Sequence, residues 1–271
     1  MPHSPVHSTL VVDGHVHIYP PYDWAAAIKA LIENLTSAVS PRERPNIIPI
    51  GLLAESKTCR FFNDVVERGA PLTKGPLQIE AGPDAGSLII RDAGVVKGYL
   101  IAGRQLVTLE NLEVLALGKN TAIANGQPLA ATLQAISGEG AVPVLSWSPG
   151  KWFFRRGKLV QSTLTAHAPG SFLLGDIGLR PTLWAPHLMK TACQRGFKII
   201  GGSDSLPLPS EERWIGRNGF QVIGAFDPQQ PAASLRTLLL DPTSTFLPVG
   251  RQSSLFAFAT RWGRNQLKAI I

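Results

Sequence analysis

The stretch Leu10-Val11-Val12-Asp13-Gly14-His15-Val16-His17 governs how the rest of the chain is read. Three aliphatic residues in a row form a short apolar run, and the Asp-Gly pair after them is turn chemistry. The segment therefore reads as a buried strand feeding a loop. Residues two apart along a strand point to the same side, so His15 and His17 present their imidazoles together. Two nitrogen donors at a strand end suit a divalent metal ion, with Asp13 as a further ligand or as the acceptor that orients an imidazole. A histidine pair of this kind can also be a hydrogen-bonded loop feature. The apolar strand directly before it favours the metal.

Outward from that strand, residues 24–39 have helical spacing, with Ile28, Leu31, Ile32 and Leu35 on one face and Asp23 as N-cap. A second apolar strand at 47–54 ends in Glu55-Ser56, and a helix over 58–68 closes at Gly69. Short β-type runs follow at 77–81, 87–91, 95–102 and 105–108, separated by Gly82-Pro83-Asp84 and Asp92-Ala93-Gly94. That spacing leaves no room for crossover helices and predicts an antiparallel β-meander, inserted at about 75–110 in a single domain. Beyond it, strands at 112–117, 141–146, 171–175, 197–201 and 221–225 are accompanied by helices at 121–137, 185–195 and 232–240, with a terminal helix over 253–271. Seven strands with intervening helices predict an α/β fold, a parallel sheet closed or nearly closed into a TIM-like (β/α)7 barrel. An open doubly wound sheet is the alternative, disfavoured because no glycine-rich phosphate loop follows the first strand.

Hydrophobic residues make up 44% of the 271 and charged residues 17%, enough for a sizeable core and against disorder. The net charge of +7 can attract anions. Its one dense cluster, Lys151, Arg155, Arg156 and Lys158, alternates with Trp152, Phe153 and Phe154. Basic and aromatic side chains so interleaved can hold a single nucleic-acid strand, but an anionic group on a small substrate is the more economical partner. Two distant cysteines, Cys59 and Cys193, argue against a disulfide framework or a structural zinc knuckle. Neither a secretory signal nor an apolar run of roughly 18 residues is present, so a cytoplasmic protein that does not span a membrane is expected. The oligomeric state is open.

In a parallel barrel all strand C-termini meet on one face. There Asp204, ending Phe197-Lys198-Ile199-Ile200-Gly201-Gly202-Ser203-Asp204, would join His15 and His17 as ligand or base. Capping of the next helix is its competing role. Glu55 and Asp176 end strands on the same face and are candidate ligands or general bases, with an Asp176–Arg180 ion pair as the structural alternative. Lys151 and Arg180 are candidate anion contacts. Glu113, at the start of its strand, is placed on the opposite face, and Lys97 in the meander is expected to be solvated. His3, His7, His167 and His187 have no strand-end context.

These residues resemble the metal-dependent hydrolases of the PHP type (polymerase and histidinol phosphatase-like), with the amidohydrolase superfamily as the near alternative. The resemblance rests on Asp13-Gly14-His15-Val16-His17 and Gly202-Ser203-Asp204. It rests also on the late order of Leu173-Leu174-Gly175-Asp176, a helix, Gly196 and Ile199 to Asp204. It touches the first strand and roughly residues 140–225, and implies a distorted seven-stranded barrel. The chain departs from the PHP pattern with Leu206, where a histidine is usual, and with no histidine between His17 and His167. The resemblance thus implies a one- or two-metal site built from His15, His17, Asp204 and Glu55 or Asp176, binding zinc or manganese. The expected function is hydrolysis of a phosphoester or other anionic small molecule by a metal-activated water. A catalytically decayed barrel that binds a ligand or partner is the alternative.

Overall fold

The structure, a computed structural model, describes residues 6–182, 184 and 186–268, with the backbone alone of 267 and 268. In chain order the first half runs β1 (Val6–Val16), α1 (Trp24–Ser37), β2 (Ile47–Leu53), α2 (Phe61–Arg68), β3 (Leu72–Lys74), β4 (Leu77–Ala81), β5 (Ser87–Asp92), β6 (Val95–Ile101) and β7 (Gly103–Val107). The second half runs β8 (Glu113–Leu117), α3 (Leu129–Gly138), β9 (Val142–Ser146), α4 (Phe154–Ala166), β10 (Leu173–Ile177), α5 (His187–Gln194), β11 (Ile199–Gly202), β12 (Asn218–Phe226), α6 (Pro231–Leu240), β13 (Leu247–Gly250) and α7 (Leu255–Lys268). Position 185, where the sequence starts the helix before Arg195, and positions 269–271 of the terminal helix lie outside the described residues. No described helix is long and apolar enough to cross a membrane.

The strands form two sheets, ordered β13-β12-β1-β2-β6-β5-β4-β3 and β11-β10-β9-β8-β7. No ladder closes them into a ring among the described residues, which corrects the expected (β/α)7 barrel. The strands are also of mixed direction: β8 is antiparallel to both β7 and β9, and β12 is antiparallel to β1. A loop of only five residues joins β7 to β8, too short for the crossover that a parallel pair requires. The antiparallel meander runs through β3, β4, β5 and β6, and β6 pairs in parallel with β2; the run at 105–108, expected as the last meander strand, is instead β7 of the other sheet. Ala102 alone separates β6 from β7, so the chain passes there from one sheet to the other.

The two edge strands of the second sheet, β7 and β11, meet the first sheet at the ends of β2 and β1. Near Ala102, Glu55 N donates to Gly103 O and Gln105 N donates to Glu55 O. A side chain at Gly103 would place its Cβ 2.3 Å from Leu53 O, so only glycine fits this crossing. At the other seam Asp204 N donates to His15 O. Between the sheets lies an apolar core that draws on β1, β2, β6, β8, β9, β10 and β11, including Leu10, Val12, Ile50, Ile101, Leu115, Val144, Leu173 and Ile200. Val11 and Val16 point away from it, into a second core under α1, α2 and the meander. β1 is thus buried on both faces from Leu10 onward, which is why Leu10-Val11-Val12 is continuously apolar rather than alternating. A third core packs α3, α4 and α5 on the second sheet.

Local signals account for some helix ends. Asp23 caps α1 by accepting from Ala25 N and Ala26 N, and Gly69 closes α2 at φ 64°. α3 starts at Leu129 rather than at 121, because Pro128 disfavours helix in the residue before it. α4 has no counterpart in the sequence reading. Its buried side chains are few, Val160, Thr163 and Leu164, and the basic-aromatic cluster runs from the preceding loop into its start.

Candidate metal centre

β1 carries the histidines to the seam between the sheets. Its register with β2 shifts between Asp13 and Val16, where Gly14 and His15 of β1 lie opposite the single residue Leu52 of β2. Such a bulge re-aims side chains at a strand end. His15 and His17 are both buried, and their Nε2 atoms lie 3.0 Å apart. Asp204 follows β11 in a left-handed conformation, φ 45°, rare for a residue other than glycine. Its Oδ1 lies 3.5 Å from each Nε2. Among the described residues these three are the set of histidine, cysteine and acidic side chains whose donor atoms converge, all within 4.8 Å of one another.

Glycine makes this seam possible. A Cβ on Gly202 would sit 2.4 Å from His15 N, so β11 approaches β1 closely only because Gly202 has no side chain. Burial pushes the Asp204 carboxyl up, but the neighbouring His15 and His17 outweigh it and bring it to about 2. Burial holds the His17 imidazole below its usual range, hence neutral, the form that ligates.

Asp13 is not among the converging donors. Its Oδ1 accepts from Ser203 N and His15 N and its Oδ2 from Gly216 N, so it ties β1 to the loops on either side of it. Burial raises its carboxyl to about 6 against those three bonds. Neither Glu55 nor Asp176 joins the group. Glu55 Oε1 accepts from Phe62 N at 2.5 Å and so holds the first turn of α2. Asp176 forms a two-pronged pair with Arg180, at 2.7 and 2.6 Å, and accepts from Gln252. Arg180 is further tied to the carbonyl of Trp184. His187 starts α5, and His167 ends α4 with Nδ1 on Thr163 O. His3 lies outside the described residues.

The placement of Glu113 corrects the sequence reading. Because β8 is antiparallel, Glu113 pairs with Ser146, the last residue of β9, and so lies at the end where the parallel strands finish. Its charge is among those that act on His17, and its Oε1 holds Lys151 Nζ at 2.8 Å. Lys151 thus already carries a carboxylate partner. Gln105 is the residue the sequence did not disclose. Its Oε1 lies 2.9 Å from His15 Nε2 and 3.1 Å from His17 Nε2. A lone glutamine in a run that the sequence assigns to the meander matches no ligand motif, and only the β6–β7 passage between sheets brings it here.

The donor set fits a small divalent ion. Metal–donor bonds of about 2.0–2.1 Å place neighbouring donors of a tetrahedron roughly 3.3 Å apart, and His15, His17 and Asp204 are separated by 3.0 to 3.5 Å. The second nitrogen of His17 is less typical of a ligand. Nδ1 is buried with no hydrogen-bond partner among the described residues, and the ring is held instead by stacking on Tyr19, 5.0 Å between centroids.

No family model matches the sequence, and no curated protein does. Among solved structures, PsfC from Pseudomonas syringae superposes with a TM-score of 0.58 at 15% identity, over 96% of this chain and 99% of that one. A two-domain protein from Bacteroides vulgatus, described as containing a predicted PHP-like metal-dependent phosphoesterase, gives a TM-score of 0.45 at 12% identity, over 96% of this chain and 74% of that one. At such identities the likeness to PsfC is one of fold, and the second superposition is too loose to add to it.

Proposed function

We propose that the protein is a metal-dependent hydrolase, cytoplasmic, acting on a phosphoester or another anionic small molecule. The observation that carries this reading is the convergence of His15 Nε2, His17 Nε2 and Asp204 Oδ1 where β1 and β11 end, with both histidines buried and Asp204 half-buried. In this reading β1, β2 and β7 to β11 are the seven strands of one opened, PHP-like ring, and the remaining strands extend the first sheet beyond it. Zinc or manganese bound there supplies Lewis-acid activation of water and polarisation of a phosphoryl or acyl oxygen. His15 and His17 serve as neutral donors, and Asp204, ionised in the physiological range, serves as ligand or proton acceptor. Lys151 exchanges Glu113 for the substrate's anionic group, which leaves Glu113 free to take a proton. Glu55 and Asp176 support α2 and the Arg180 loop.

The test is metal analysis of protein purified without a polyhistidine tag, with turnover of aryl phosphates and of lactones followed in parallel. Stoichiometric zinc or manganese is expected in the wild type, falling at least tenfold in His15→Ala and Asp204→Ala together with turnover. Metal content that does not depend on these residues would overturn the reading. A second reading, a binding protein without turnover, is favoured by the structural engagement of Glu55, Asp176 and Arg180. Bound metal with no hydrolysis of either substrate class would select it.

A further inference from the structure

We propose that Gln105 is a fourth metal donor and that its single neutral oxygen limits the site to one ion. The inference rests on the metal-dependent reading above. His15 Nε2, His17 Nε2 and Gln105 Oε1 form a triangle with sides of 3.0, 2.9 and 3.1 Å. Hydrogen bonds explain at most two of those sides. If both imidazoles donate to the amide oxygen, both Nε2 atoms carry protons and their own contact is a clash of donors. If the amide is turned so that its nitrogen donates to both rings, two lone pairs face each other instead. A cation among the three atoms, with Asp204 Oδ1 as the fourth corner, makes every contact attractive.

The chemistry of the amide sets the stoichiometry. A carboxylate has two oxygens and can bridge two ions, whereas an amide offers one oxygen beside a nitrogen that does not ligate. Asp204 is then the single anionic donor, and among the described residues no further acidic side chain joins the cluster. One divalent ion leaves the centre at +1, and a second would bring two cations together with nothing to offset them. Gln105 also sits on a rigid element. Its backbone N–H is bonded to Glu55 O, and β7 is laddered to β8 from Gly103 to Val107.

Chelator-stripped protein titrated calorimetrically with zinc tests this. The wild type is expected to bind one ion per chain. Gln105→Ala and the near-isosteric Gln105→Met are expected to bind it on the order of tenfold more weakly, and Gln105→Glu at least as tightly as the wild type. Melting curves of the metal-free variants report whether each is folded, and a loss of affinity counts only in variants that melt as the wild type does. Two ions per wild-type chain would overturn the proposal, as would undiminished affinity in a folded Gln105→Ala or Gln105→Met. If the wild type binds neither zinc nor manganese, the hydrolase reading fails with it. If it binds one ion that Gln105 does not influence, only the role of Gln105 falls.

Discussion

Asp13 and Gln105 show how position along the chain and position in space diverge at the scale of single residues. Asp13 is two residues from His15, yet its carboxylate is consumed by three backbone N–H groups. Gln105 is 90 residues away and touches both imidazoles. Glu55 gives a prediction at this scale. Burial raises its carboxyl from 4.5 to about 7, opposed by the bond from Phe62 N. Between those values the folded chain holds a proton that the unfolded chain has released, so stability falls as pH rises, by on the order of 3 kcal/mol across the window. Glu55→Gln keeps an acceptor for Phe62 N and has nothing to titrate. Urea midpoints measured from pH 4.5 to 8 should therefore decline less in the variant, and parallel declines would show that Glu55 ionises normally.

At the scale of elements, the seam between β1 and β11 depends on Gly202. Gly202→Ala forces a methyl group into the backbone of His15 and should cost about 1–3 kcal/mol. Because β1 has to shift, zinc affinity should fall as well, although residue 202 donates nothing to the ion. A variant destabilised with intact zinc binding would show that β1 and β11 move together. The meander offers a second case. Asp84, in its Gly82-Pro83-Asp84 turn, accepts from Ala232 N and Ala233 N and so caps α6 from a distant part of the chain. Asp84→Ala should lower unfolding stability by about 1 kcal/mol in denaturant melts. No loss would mean that water replaces the cap.

For the whole molecule, α7 is fastened by charge. Arg261 is buried, pairs with Glu211 at 2.6 Å, and lies over the Trp214 ring at 4.1 Å. Arg261→Ala leaves a carboxylate buried without its partner and should cost about 3–5 kcal/mol. Adding Glu211→Gln should recover part of that loss. A double variant no more stable than Arg261→Ala would place the cost in lost packing against Trp214 rather than in the unpaired charge.

Sequence by itself determined the elements whose signals are local. β1 and its histidine pair, the Asp23 cap, the Gly69 stop and the short-turned meander all follow from periodicity and turn chemistry. It also put forward His15, His17 and Asp204, because a strand followed by small residues and a carboxylate leaves a recognisable pattern. Only the tertiary structure decided strand direction, and with it the division into two sheets. An apolar strand has the same sequence whichever way its neighbour runs, so nothing in residues 113–117 tells that β8 is antiparallel. That one reversal moves Glu113 to the end where the parallel strands finish, while the passage of β6 into β7 brings Gln105 to the histidines. The pair that opened the sequence reading therefore converges with Asp204, but its surroundings were set by pairing between distant strands, which no local pattern records.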